Sequence, residues 1–319
     1  IEELPEPQEV TIALLQSLGK PAIACVSVGD TVAKGQLIAK ADGAISSDVF
    51  ASISGTVTEI KALDNECGNR DTFIVIKGDG SGKTQYLPPL SDPSPEQIVE
   101  RVREAGIVGL GGAGFPTAVK LKPRTPVDTF IINGSECEPY LTCDHRVMIE
   151  FTEEVARGAR YIAKALGVSK IMIGIEKNKP DCIAAFEKFD DIQVVALRKI
   201  YPMGGEKQLI YSATGRKVGY GQLPADVGVV VNNVATCLSV CEAIEQGKPD
   251  VDSILTVSGE SITRPANVKV PVGTSIAYIV EQCGGEKSAP KKVVLGGPMT
   301  GVAIKSYDMF VKKTTSGIL

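Results

Sequence analysis

The chain has 319 residues, 43% of them hydrophobic, enough to bury more than one core, and its size suggests about two or three domains. A formal net charge of -4 leaves no broad cationic surface for tracking phosphates along a duplex, so nucleic acid is not expected as a partner. The longest apolar runs, such as Val227 to Val231, stop well short of the ~18–20 residues that a membrane span needs, and any membrane association would require a partner.

The acidic start IEELPEPQEV has neither an initiator Met nor the regions of a signal peptide, and reads as that of a trimmed chain. Residues 1–88 then read as short strands between turns: PAIACVSVGDTVAKGQLIAKADG, DVFASISGTVTEIKAL and DTFIVIKGDG. VSVGDTVAKGQLIA and VFASISGTVTEI look like the two halves of a biotinyl/lipoyl-type barrel-sandwich hybrid, with Gly29-Asp30 and Ser54-Gly55 as tight turns. A carrier domain would hold a lysine in the exposed hairpin between them. Here that hairpin is Ile45-Ser46-Ser47-Asp48-Val49, so the fold is expected without the carrier function.

The linker-like YLPPLSDPSPEQ leads into a helix begun by Ser94-Pro95. Residues 89–247 alternate strand-like FIIN (130–133), IMIGIE (171–176), IQVVAL (192–197) and VGVVV (227–231) with helical stretches near 152–166, 180–188 and 234–246. That is α/β layering on a mostly parallel sheet. Residues 248–300 run strand, strand, helix, strand (SILTVSG, NVKVPVG, TSIAYIVEQCGG, KKVVLGG), a β-grasp-like order, and 301–319 read as the start of a connection onward.

Eight scattered cysteines without a C-x-x-C pair fit reduced thiols rather than a disulfide scaffold. Cys137 and Cys143, just before the only histidine, His145, lack a second ligand pair, and no metal is expected. The strongest local signal is Gly109-Leu110-Gly111-Gly112-Ala113-Gly114-Phe115-Pro116-Thr117. Its formal G-x-G-x-x-G follows a helix instead of a strand, so the usual dinucleotide-fingerprint context fails. The glycines still let backbone lie flat against a planar ring, and Pro116 suits the first turn of a helix whose positive end favours a phosphate. The competing reading is a bare turn cluster. Ile132-Asn133-Gly134-Ser135-Glu136-Cys137-Glu138-Pro139 follows a strand, where ligands gather in open sheets, and supplies donors and acceptors for a flavin edge; alone it is equally a solvated acidic loop. Tyr201-Pro202-Met203-Gly204-Gly205-Glu206-Lys207 and Val231-Asn232-Asn233-Val234-Ala235-Thr236 are weaker signals that share this placement at strand ends.

Taken in order, GLGGAGFPTAVKL, INGSECEPYLTCDHR, YPMGGEKQLI and VNNVAT resemble the FMN-binding core shared by the flavin subunit of respiratory complex I and by the C subunit of the Rnf ferredoxin:NAD⁺ oxidoreductase. GGPMTG, KTTSGIL and the barrel-like start favour the Rnf protein. The resemblance implies an N-terminal barrel-sandwich hybrid, a central Rossmann-like FMN-binding α/β domain and a C-terminal SLBB-like β-grasp module. It implies that Gly109, Gly111, Gly112, Ala113, Gly114 and Lys120 line the FMN, that Asn133, Ser135 and Glu136 contact its polar groups, and that Tyr201, Gly204, Asn232, Asn233 and Thr236 complete the pocket. Phe115, Glu138 and Glu206 fall on the nicotinamide side, for NAD(H) as substrate. The family's paired C-x-x-C-x-x-C-x-x-x-C-P runs, which hold [4Fe-4S] clusters, are absent here, so clusters are expected only in a region beyond Leu319. Also implied are a peripheral place on the cytoplasmic side of the cell membrane and Rnf partners including membrane subunits and a ferredoxin-like subunit; FMN is expected to be non-covalent, since no threonine lies in an S/T-G-A-T-type acceptor context. Rival readings are the related cobalamin reductase of diol-degrading microcompartments and a non-catalytic binding module.

Overall fold

A computed structural model describes residues 1–319. Strands at Ile192–Leu197, Lys170–Glu176, Thr129–Gly134 and Val229–Asn233 lie parallel in that spatial order. Their apolar runs (Phe130, Ile131, Ile132, Ile171, Ile173, Val229, Val230) are buried, as expected for a parallel sheet covered on both faces. The chain steps outward from Thr129–Gly134 across two strands, then returns to its other side for Val229–Asn233. This makes a topological switch point between Thr129–Gly134 and Val229–Asn233, and Asn133 and Asn233 are register partners at its carboxyl end.

The helices follow from local signals. Ser94 and Gln97 form a reciprocal capping box on Pro95–Glu104, which buries Ile98, Val99 and Val102. Thr152–Leu166 buries Val155, Ala156, Ala159 and Ile162 along one stripe and ends at Gly167 in the left-handed conformation. It crosses Val234–Glu245 so closely that a side chain at Gly158 would overlap the Cys237 carbonyl. Cys143–Glu150 and Glu206–Thr214 are further helices that the sequence pattern does not announce. No helix is long and apolar enough to cross a membrane.

The N-terminal module pairs a four-stranded antiparallel sheet (Glu9–Ala13, Arg70–Gly78, Gly55–Asp64, Thr31–Val32) with a three-stranded one (Ile23–Ala24, Leu37–Lys40, Val49–Phe50) around Val10, Ile12, Ile38, Ile53, Ile74 and Ile76. Gly29 makes its expected turn at φ +96°. Gly55 does not turn: it begins a strand, and its missing side chain lets the Lys77 carbonyl approach. The C-terminal sheet is six-stranded and takes in Glu2–Glu3, Val302–Ile304 and Gly317–Ile318 beside Asp252–Val257, Ala266–Pro271 and Val293–Leu295. The 301–319 stretch, expected as a connection, is therefore part of the sheet.

One residue ties all three modules together. Lys313 is 4% exposed, and its ammonium donates to the carbonyls of Gly106 (2.7 Å) and Asp48 (3.1 Å) and to the Ser47 hydroxyl (3.5 Å). The hairpin where a carrier lysine would project is thus buried against the central domain. Burial pushes the Lys313 ammonium below the usual lysine range, opposed by the charges of Asp250 and Asp48.

Candidate functional site

A cavity of about 620 Å³ opens at the switch point, between the parallel sheet, the glycine loop and the C-terminal module. Of the residues expected from sequence, Gly111, Gly112, Ala113, Asn133, Ser135, Glu136, Glu138, Tyr201, Gly204 and Asn233 line it. The loop is closed at its base by the Gly109 N–H on the Phe115 carbonyl at 2.8 Å, and Gly111 and Gly114 adopt φ +71° and +70°. A side chain on Gly111 would come within 2.8 Å of the Asn233 amide, whereas one on Gly112 would meet no protein atom within 4 Å. Gly112 therefore presents bare backbone to the cavity.

At the carboxyl ends of the strands, amides brace the walls. Asn133 donates to the Gly204 carbonyl (2.9 Å) and accepts from the Ser135 N–H (3.1 Å), locking two cavity-lining segments together. The Asn233 oxygen caps Val234–Glu245 through the Ala235 N–H (2.7 Å), while its NH₂ donates to Asp144 (2.7 Å). Cys137 adds a second hold on the same loop, its sulfur accepting from the Gly204 N–H at 3.3 Å. Glu136 caps the next helix by accepting from the N–H groups of Asp144 (2.9 Å) and His145 (3.3 Å). Burial first, then the charge of Asp144, raises the Glu136 carboxyl well above the usual range; burial raises Asp144 as well, against its hydrogen bond from Asn233. The two acids therefore titrate as a pair.

The other expected residues stand behind the cavity wall. Gly109 and Phe115 close the loop base, and Gly114 packs on Thr314 while its carbonyl accepts from the Leu18 N–H (3.0 Å). The Thr236 hydroxyl accepts from the Leu110 N–H at 3.0 Å. Lys120 bonds Glu206 (2.9 Å) and the Val231 carbonyl (3.0 Å), so these two expected ligand contacts are engaged with each other. Asn232, 3% exposed, has no partner for either amide atom, and the buried Ser135 hydroxyl has none either. Buried polar groups are normally hydrogen-bonded, and those left over beside a cavity point to a polar ligand edge. Two unpaired polar side chains and a bare backbone face suit the polar rim and flat ring of a flavin. The sequence reading missed Asp144 and Cys137, both inside a quoted motif but silent as to partner, and the 296–301 loop as a wall of the same cavity.

Fold and site together define a class: a protein with an FMN-binding domain of the Nuo51 type, preceded by a barrel-sandwich hybrid and followed by an SLBB domain. Family models match in that order: the RnfC barrel sandwich hybrid domain over residues 1–81, the Nuo51 FMN-binding domain over 102–242, and the SLBB domain over 254–303. The chain is 44% identical over 328 residues to the C subunit of the proton-translocating ferredoxin:NAD(+) oxidoreductase complex of Clostridium ljungdahlii, covering all of this chain and 72% of that one. It is 43% identical over 333 residues to the C subunit of the ion-translocating oxidoreductase complex of Rhodobacter capsulatus, covering all of this chain and 64% of that one. With the C subunit of the Na(+)-translocating ferredoxin:NAD(+) oxidoreductase complex of Acetobacterium woodii the identity is 41%, over 98% of this chain and 73% of that one. The chain belongs to the RnfC family, the C subunits of Rnf complexes. Among solved structures, an NAD⁺-reducing NiFe hydrogenase shares the fold at TM-score 0.58 and 23% identity, over 71% of this chain and 47% of that one.

Proposed function

We propose that the chain is the flavin-bearing part of the peripheral subunit of an ion-translocating ferredoxin:NAD⁺ oxidoreductase, moving electrons between NAD(H) and iron-sulfur carriers. The observation that carries this reading is the bare backbone of Gly112 facing a switch-point cavity that is also lined by Ser135, whose buried hydroxyl is unpaired, in a chain of this family. FMN, when bound, accepts the two electrons of a hydride together and releases them singly to one-electron carriers.

The chain's own residues bind and orient. Gly111, Gly112 and Ala113 supply a flat wall for the ring, Ser135 meets its polar edge with the unpaired Asn232 amide behind the wall, and Tyr201 and Gly204 bound the opposite side. The N-terminus of Val234–Glu245, with its aligned N–H groups, and the nearby Lys120 suit the anionic end. Glu138, which lines the cavity, serves the nicotinamide side, where a carboxylate accepts from ribose hydroxyls, and Phe115 and Glu206 join it only by turning outward from behind the wall. Asn133, Asn233 and Glu136 act by holding these groups in place. Partners are the other Rnf subunits, on the cytoplasmic side of the membrane.

The test is spectroscopic. The purified chain reconstituted with FMN should show flavin absorbance that NADH bleaches anaerobically, and acid denaturation should release all of the colour. Absence of flavin binding would overturn the proposal; unbleached bound flavin would remove its nicotinamide half.

A further inference from the structure

Glu138 reaches across a domain boundary. Its carboxylate oxygens accept from the Met299 N–H (2.9 Å) and from the Thr300 hydroxyl (2.5 Å), both on the turn that joins two strands of the C-terminal sheet. Both ends of this contact line the cavity. The fit is close: a side chain on Gly297 would overlap the Glu138 carboxylate, so a larger residue there displaces that carboxylate.

We infer that Thr300 and Gly297 are positioning residues for Glu138, fixing its carboxylate at the cavity so that it receives the ribose diol of a nicotinamide dinucleotide. This rests on the reading of Glu138 as a nicotinamide-side acid and adds the β-grasp module to the dinucleotide site. Each carboxylate oxygen has about two acceptor positions. One donor per oxygen therefore orients the group while leaving a lone pair on each for a vicinal diol. A free glutamate at the head of the turn whose Pro139 and Tyr140 are exposed would instead have to give up rotamer freedom on every binding event. The hydrogen bonds to Glu138 are charge-assisted, the stronger class, which favours a fixed rather than a fluctuating acid.

The experiment compares Thr300→Val, Thr300→Ser, Gly297→Ala, Glu138→Gln and the Thr300→Val/Glu138→Gln double variant, all FMN-loaded. The readouts are the NADH KM with ferricyanide as acceptor, ADP-ribose binding by calorimetry, and FMN affinity. Thr300→Val and Gly297→Ala are expected to raise KM and weaken ADP-ribose by about threefold to tenfold, the scale of one hydrogen bond's net contribution. Saturated turnover and FMN affinity should hold, Thr300→Ser should keep wild-type values, and the double variant should be no worse than Glu138→Gln alone. Thr300→Val effects that multiply with those of Glu138→Gln would make the contact merely structural and overturn the inference. So would unchanged binding in Thr300→Val and Gly297→Ala while Glu138→Gln is impaired, a result that leaves Glu138 itself in the site. An unimpaired Glu138→Gln would remove both the inference and the role of Glu138.

Discussion

Gly112→Val separates the flavin wall from the fold. A side chain at this position meets no protein atom within 4 Å, and Gly112 does not have a positive φ, so the substitution strains nothing in the chain itself. Its branched methyls would instead stand in the cavity, where the proposed flavin ring lies against backbone. A ring held off loses burial of about one face, roughly 100–150 Å² at about 25 cal/mol per Å², or about 2.5–4 kcal/mol. That corresponds to a loss of FMN affinity of about 10²–10³-fold. Circular dichroism and the thermal midpoint of the flavin-free variant should match wild type, while fluorescence titration with FMN shows the loss. The neighbouring Gly111→Val, with φ +71° and the Asn233 amide 2.8 Å away, should lower the midpoint as well. A folded Gly112→Val that binds FMN at wild-type affinity would refute the reasoning.

Asp250 is buried with one carboxylate oxygen unpaired, and burial raises its carboxyl to about 6. The folded chain then keeps this proton up to about pH 6 while the unfolded chain releases it near 3.8, so stability from this group falls as pH rises between them and levels off above. Asp250→Asn should lack that slope, gaining about 2 kcal/mol relative to wild type between pH 4.5 and pH 8 in urea melts; parallel curves would contradict it. Lys120→Met should weaken FMN about tenfold and flatten the salt dependence of binding, because it removes the cation that bonds the Val231 carbonyl at the strand end. An unchanged titration at low and high salt would show that Lys120 stays with Glu206.

Much of the central domain was legible because its periods are strong. IQVVAL and the stripe over 152–166 return as Ile192–Leu197 and Thr152–Leu166. The helices Cys143–Glu150 and Glu206–Thr214 were not legible, since both carry short mixed faces without a clean apolar period. Strands of two residues, such as Glu2–Glu3 and Gly317–Ile318, have no period at all and exist only through pairing with a distant sheet. In the site, glycines and strand-end amides announced themselves by residue type. What the sequence withheld was pairing: Lys120 with Glu206, Asn233 with Asp144, and Glu138 with Thr300 join segments 86, 89 and 162 residues apart.

The Lys313 ammonium bears on how such proteins can be recombined. Its three oxygens belong to the barrel hairpin and the central domain, while the lysine itself comes from the last turn before the final strand. Grafting a carrier-type barrel in place of residues 1–88 would remove Ser47 and the Asp48 carbonyl and strand a charge in the interior, at a cost of several kcal/mol. Chimeras cut at that linker should therefore come out insoluble or unfolded unless the incoming hairpin offers equivalent oxygens or Lys313 is exchanged for an apolar residue. The hairpin that serves as a mobile arm in carrier domains is here a fixed abutment, held against the domain it leans on.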